Sequence, residues 1–314
     1  MQHFDSAATR AALPFDALIG ALEAMFVAGC EVPARHVHAI AGADGRQRGT
    51  LLIMPAWQGR YMGIKTVNIF PDNAARGLPG LYSTYLLYDA ASGAPLAQID
   101  GDEITARRTA AASALAARYL ARADAGRLLV VGSGRVAQLL AHAYRVVRPI
   151  REVLVWSRSH DSALALAAAL RAGGIDARAG DDLEAAVRQA DIVSCATLAT
   201  APLIRGEWLA AGSHLDLIGG FTPQMREADD ACFAGARLYI DTPEALQKAG
   251  DLLGPMARGV FAPDDLAGTL ESLCRGQVEG RRDDAERTVF KSVGTALEDL
   301  AAAMLVIEGL RGKV

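Results

Sequence analysis

The chain has 314 residues, 51% hydrophobic and 22% charged, with a formal net charge of −4 at pH 7. That length suggests about two domains, with enough apolar material for sizeable cores. Basic residues cluster only in pairs such as Arg107-Arg108 and Arg281-Arg282, so no nucleic-acid partner is expected.

The opening MQHFDSAATR lacks the basic-then-apolar layout of a signal peptide, and no apolar run is long enough to span a bilayer. The expectation is a cytoplasmic protein that makes no membrane contact. Cys30, Cys195, Cys232 and Cys274 lack C-x-x-C spacing, which argues against a disulfide framework or structural zinc. His36 and His38 would share a strand face, but no acid or cysteine cluster accompanies them, so no metal site is expected.

Four strand-like pieces follow, TLLIMPAW, YMGIKTVNIF, YSTYLLYDA and PLAQID, broken by Gly, Pro and Asp. In the second, alternation puts Tyr61, Gly63, Lys65, Val67 and Ile69 on one face. Lys65 is then a cation on an apolar face, where unpaired burial costs several kcal/mol or lowers its pKa by up to ~3–5 units. An anionic substrate and cofactor sharing its pocket would account for it. The alanine-rich ITARRTAAASALAARYLAR reads as a helix, with Asp102 and Thr105 as start signals. Arg108 lies at its head, where a cation opposes the macrodipole and an anionic ligand is implied.

After Gly126 the texture changes to strands alternating with helices: RLLVV, REVLVWS, DIVSCAT, SHLDLIGG and ARLYIDT each adjoin a helical or turn-rich segment. That pattern predicts βαβ units and a parallel sheet covered on both faces. The closing TVFKSVGTALEDLAAAMLVIEGL reads as helical and too apolar for a free surface, so it should return to the first domain. The expected fold class is α/β, a Rossmann-type doubly wound sheet plus an α+β substrate-binding and dimerisation domain. Residues 1–122 with the helix 288–314 form the latter, and 123–287 the dinucleotide-binding domain.

Between a strand and a helix stands Gly132-Ser133-Gly134-Arg135-Val136-Ala137, the G-x-G-x-x-A form of the dinucleotide fingerprint. Gly132 permits the tight turn, Gly134 admits the pyrophosphate to the backbone, and Ala137 lets helix and strand pack. The helix N-terminus then holds the phosphates. In NAD-binding proteins an acid about 20 residues on bonds the ribose 2′-OH. Here Ser157, Arg158 and Ser159 occupy that place. A hydroxyl and a guanidinium suit a 2′-phosphate, so NADP(H) is preferred, with NAD(H) still possible.

The segments "IMP…GIKTVNIFPDN…GLPG", "DGDEITARRTAAASALAARYLA", "VVGSGRVAQ", "VWSRS" and "VFKSVGTALEDLAAA" together resemble the ornithine cyclodeaminase and mu-crystallin family from about residue 30 to 310. The resemblance implies a homodimer acting on a small amino or imino acid. It makes Lys65 the active-site lysine, Arg108 the arginine that binds the substrate carboxylate, and Arg35 a second one. Cofactor positions fall on Thr109, Gly132, Ser133, Gly134, Ala137, Thr197 and Ser292, and "WSRS" is similar to the NADPH-preferring branch.

Two departures bear on the reaction. Cyclodeaminases carry a glutamate where this chain has Leu52 and an aspartate where it has Phe221. Without those acids the distal ammonium of ornithine loses partners that are worth about 2–5 kcal/mol each when buried. Asp216 is a candidate substitute. The expected activity is therefore NAD(P)H-dependent reduction of a cyclic imino acid, with Arg108 and Arg35 on the carboxylate, Lys65 managing the proton and Phe221 against the apolar ring. Ornithine cyclisation, amino-acid dehydrogenation and non-catalytic NADPH-dependent ligand binding stand as alternatives.

Overall fold

The computed structural model describes residues 1–311. The chain divides into two compact units, Met1–Arg108 with the chain from Thr295 onward, and Thr109–Gly294. The first division falls inside the helix Gly101–Leu120, not after residue 122 as the sequence suggested. The reason is that the second half of this helix bonds within the second unit: Ser113 Oγ donates to Asp216, and the Arg118 carbonyl accepts from Arg148. The second division also moves, because TVFK is a strand of the second unit and not the start of the closing helix.

The first unit is built on a six-stranded sheet. Its strands are β1 (Gln2–Phe4), β2 (His36–Ala41), β3 (Gln47–Gln58), β4 (Tyr61–Ile69), β5 (Leu81–Asp89) and β6 (Pro95–Asp100). They lie in the order β1-β6-β5-β4-β3-β2, antiparallel except for the β1–β6 pair. The four strands read from the sequence are β3 to β6. β1 is too short to show alternation, and the helices Ser6–Ala12 and Phe15–Ala28 were not foreseen. Along β4, Tyr61, Gly63, Lys65 and Val67 are buried and their neighbours are half-buried. The closing helix Ala296–Arg311 packs on β3, β4 and the helix Phe15–Ala28. At the start of the helix Gly101–Leu120 it is Asp100, not Asp102 or Thr105, that accepts from the Glu103 N–H at 2.8 Å.

The second unit holds eight parallel strands: β7 (Arg127–Val131), β8 (Glu152–Trp156), β9 (Ala177–Ala179), β10 (Ile192–Cys195), β11 (His214–Leu217), β12 (Arg237–Ile240), β13 (Gly268–Thr269) and β14 (Thr288–Lys291). Their order is β13-β12-β14-β11-β10-β7-β8-β9. The chain winds outward from β7 through β8 to β9, then restarts beside β7 with β10. This is the expected doubly wound sheet, and its switch point lies between the carboxyl ends of β7 and β10, where such folds bind ligands. Strand residues from Leu129 to Val289 form its apolar core with the helix Leu183–Gln189. Among the described residues no single helix is long and apolar enough to cross a membrane.

Candidate functional site

Each unit carries residues that the sequence singled out. In the first unit, β4 brings Lys65 to the buried face, 2% exposed. Its Nζ lies 2.6 Å from Asp299 Oδ2 and donates to Thr105 Oγ1 at 3.4 Å. Arg108, in the third turn of its helix, reaches the same acid: its Nε is 3.0 Å from Asp299 Oδ1, and its Nη1 is 2.5 Å from Glu298 Oε2. Glu298 and Asp299 are fully buried in the first turn of the closing helix. Two cations and two carboxylates thus form one desolvated array.

The array corrects two expectations. Lys65 does not depend on a ligand for its counter-charge, because Asp299 supplies it. Arg108 is not an unmatched cation at a helix head; it sits past the first turns and is held on two edges by acids. The signal missed in the sequence was "ALEDLAAA", where two adjacent acids stand inside an apolar helix. Carboxylates are almost never fully buried unless paired, so they called for buried cations.

Burial lowers the Lys65 ammonium to about 8, with Asp299 opposing that fall, Arg108 deepening it and Glu298 opposing it more weakly. Desolvation works against the Arg108 charge too, but Asp299 and Glu298 outweigh it and hold the guanidinium above its ordinary value. For Asp299 the balance is the same: burial favours the acid, yet Lys65 and Arg108 keep its carboxyl below the usual range. The result is a lysine that can give up a proton near neutrality beside an arginine that cannot. Arg108 Nη2 takes no part in the two ion pairs and remains a donor for an incoming carboxylate. Arg35, half-buried, directly precedes β2 in the same unit.

In the second unit the glycine turn follows β7. Gly132 adopts φ +120°, and a Cβ there would meet the Ala196 carbonyl at 2.5 Å, so only glycine fits between the ends of β7 and β10. Gly134 is exposed and a Cβ would meet nothing within 4 Å, which leaves room at the backbone for a pyrophosphate. The helix Ala137–Val147 begins with no side-chain cap, and its Gln138 and Leu139 N–H groups turn back on the Gly134 and Val136 carbonyls, so the exposed turn ahead of it is where an anion can approach the backbone. Ala137 is buried against the sheet. These residues fit a dinucleotide.

At the end of β8, Ser157 Oγ lies 3.2 Å from Ser133 Oγ, and Arg158 is exposed, with no hydrogen bond or ion pair among the described residues. Ser159, expected on the cofactor, caps the helix His160–Ala172 through the Ser162 N–H. Thr197 spends its N–H and hydroxyl on Glu227 Oε1, at 2.7 and 2.8 Å. Thr109 is half-buried, and Ser292 is buried after β14, its N–H on the Leu217 carbonyl. Phe221 is 44% exposed directly after Gly219-Gly220.

Sequence reasoning also missed the framework beneath these loops. Glu227 Oε2 accepts the Gly219 N–H at 2.7 Å, tying the β11 loop to Thr197 after β10. Asp251 Oδ1 accepts the N–H groups of Glu227 and Ala228, while Lys291 Nζ lies 3.3 Å from Asp251 Oδ2 and donates to the Leu217 carbonyl. A Cβ on Gly220 would collide with the Asp251 carboxylate. Burial raises Glu227 to about 7, against the pull of Lys291. Asp216 corrects another expectation. It lies within β11, fully buried, accepting from Tyr144 Oη at 2.8 Å, Ser194 Oγ at 2.5 Å and Ser113 Oγ at 3.1 Å. Three hydroxyls satisfy it in the sheet core, and it does not replace the acid missing at Phe221.

The ornithine cyclodeaminase/mu-crystallin family profile matches residues 6–314. The Delta(1)-pyrroline-2-carboxylate reductase of Paracoccus denitrificans is 42% identical over 271 residues, 85% of this chain and 86% of that one. Among solved structures, the Thermococcus litoralis Delta(1)-pyrroline-2-carboxylate reductase in complex with NADH and L-proline has a TM-score of 0.92 at 31% identity, covering 100% of this chain and 99% of the other. An archaeal alanine dehydrogenase dimer with bound NAD has a TM-score of 0.91 at 28% identity, covering 100% and 97%.

Proposed function

Because the chain belongs to the ornithine cyclodeaminase/mu-crystallin family, we propose that it is an NAD(P)H-dependent reductase of cyclic imino acids of the pyrroline-2-carboxylate or piperideine-2-carboxylate type. The observation that carries this reading is the buried pairing of a neutralisable lysine with a permanently charged arginine on one shared carboxylate. The reductase relatives support the reaction class.

In this reading Arg108 Nη2, assisted by Arg35, grips the substrate carboxylate and fixes the C=N bond beside Lys65. The glycine turn would hold NAD(P)H, whose chemistry when bound would be to supply the hydride for the imine carbon. Lys65 gives the ring nitrogen a proton from its ammonium as the π pair of the C=N bond moves onto that nitrogen. Solvent then returns the proton to the lysine. Leu52 and Phe221 leave no carboxylate at the two positions where a cyclodeaminase needs them, which favours an apolar ring over the charged tail of ornithine.

Three finer readings accompany this one. Arg158, exposed and unengaged beside Ser157, is suited to a 2′-phosphate, and NADP(H) is the preferred cofactor. A homodimer would cover exposed apolar side chains of the first unit, among them Val37 and Ile40 on the edge strand β2, Trp57 on β3 and Tyr82 on β5. Among the described residues the four cysteines are thiols and not disulfides, which suits the reducing cytoplasm.

The test is NADPH and NADH oxidation with the five- and six-membered cyclic imines, run beside ornithine with NAD. Turnover of an imine at least a hundredfold above ornithine is expected. Brisk conversion of ornithine to proline and ammonia would overturn the reading.

A further inference from the structure

Asp299 occupies an unusual place in the first unit. One short carboxylate bridges two buried cations, with Oδ2 on Lys65 and Oδ1 on Arg108, and it is fully buried itself. A bridging carboxylate of this kind sets the separation of the two cations as well as neutralising them. Glu298, the preceding residue of the helix, takes Nη1 of Arg108, so the guanidinium plane is held at two edges and cannot swing. Thr105 accepts from the Lys65 ammonium beside Asp299, and its own hydroxyl donates to the Gly101 carbonyl.

We propose that Asp299 is the positioning residue of the reaction: it holds the Lys65 proton donor and the Arg108 carboxylate clamp at a fixed spacing and keeps the lysine charged when the site is dry. The assignment rests on the reading of Lys65 as proton donor given above. The division of labour between the neighbouring acids is specific. Asp299 touches both cations, whereas Glu298 touches Arg108 and reaches Lys65 only through space. Asp299 therefore controls protonation and geometry together, and Glu298 controls the clamp.

The groups facing Lys65 are few. Asp299 and Glu298 come from the closing helix, Arg108 and Thr105 from the helix Gly101–Leu120, and the Tyr85 phenol from β5 stands directly opposite in the sheet. Tyr85 is 1% exposed and burial first, then the Asp299 charge, hold its hydroxyl well above its usual range, so it stays neutral. Of the remaining groups, Arg108 disfavours the lysine charge and Asp299 is the strongest of those that favour it.

The experiment compares Asp299→Asn, Asp299→Glu and Glu298→Gln with wild type in imine reduction from pH 5 to 10, alongside thermal melts and NADH binding by fluorescence. In wild type the rate should fall as pH rises through about 8, where Lys65 loses its proton. For Asp299→Asn the same limb should move down by about one to three pH units, the range that one close opposite charge commands. At pH 8 its kcat/KM should drop on the order of 100-fold, with NADH affinity unchanged. Glu298→Gln should raise KM for the imine several-fold with a much smaller shift of the limb. Asp299→Glu keeps the charge but displaces it, so its limb should stay near that of wild type while kcat falls roughly tenfold.

A wild type that reduces neither imine would overturn the proposed function and this assignment with it. An active wild type whose Asp299→Asn variant keeps the same limb and rate would overturn the assignment alone. Should Asp299→Asn fail to melt cooperatively, Asp299→Glu decides: wild-type kcat at every pH would overturn the assignment, and a lowered kcat on an unmoved limb would uphold it.

Discussion

Both units bury acids next to a lysine, but they satisfy them in different ways. In the second unit Glu227 and Asp251 take backbone N–H groups from Thr197, Gly219, Glu227 and Ala228, and Lys291 closes the network on Asp251 and a carbonyl. Those acids bond the main chain and so fix the course of loops. In the first unit Glu298 and Asp299 bond cationic side chains, and Arg108 Nη2 is outside those pairs. An acid spent on main-chain amides holds shape, whereas one spent on a lysine and an arginine tunes chemistry. Burial and charge alone do not separate the two; the partners do.

Removing the lysine of the first array should break this contrast most sharply. Lys65→Ala is expected to lower kcat for imine reduction by on the order of 10³-fold, within the range of general acid catalysis, and to leave NADH binding within about twofold of wild type. Stopped-flow turnover and fluorescence titration check both halves. Turnover within tenfold of wild type would mean that Lys65 is not the acid.

The opposite result is expected from Glu227→Gln. Its two oxygens accept three donors from two loops, and an amide nitrogen facing any of them leaves a buried donor unsatisfied. A stability loss of about 1–3 kcal/mol should follow, with NADH affinity weakened roughly tenfold and the pH limb set by Lys65 unmoved. A shift of that limb with no loss of NADH affinity would show that the two networks are not separate in function.

The smallest expected effect lies at the surface. Arg158→Ala should lower the NADPH:NADH preference in kcat/KM by about tenfold, acting through an exposed side chain with no structural partner to lose. An unchanged ratio would remove Arg158 from cofactor selection.

The glycine turn was legible in the sequence because its chemistry is local. Gly132 needs its φ of +120° whatever the rest of the chain does, and the strand, turn and helix that frame it are contiguous. The alternation that buries Lys65 was legible for the same reason, since the pleat alone assigns each residue of β4 to a face. The strand β14 was not: TVFK is four residues followed by a helix, and only its two parallel neighbours, β11 and β12, make it a strand. Asp216 illustrates the limit at a single residue. Its position at a strand end invited a functional reading until Ser113, Tyr144 and Ser194, from three other elements, were seen to enclose it.

By itself, then, the sequence determined the parallel α/β unit, the dinucleotide turn and the presence of a cation on a buried strand face, because each follows from short-range periodicity or from residues adjacent in the chain. Only the tertiary structure decided what neutralises that cation. Lys65 and Asp299 are far apart in sequence and 2.6 Å apart in space, and a charge is governed by whatever lies within a few ångströms of it, however distant in the chain.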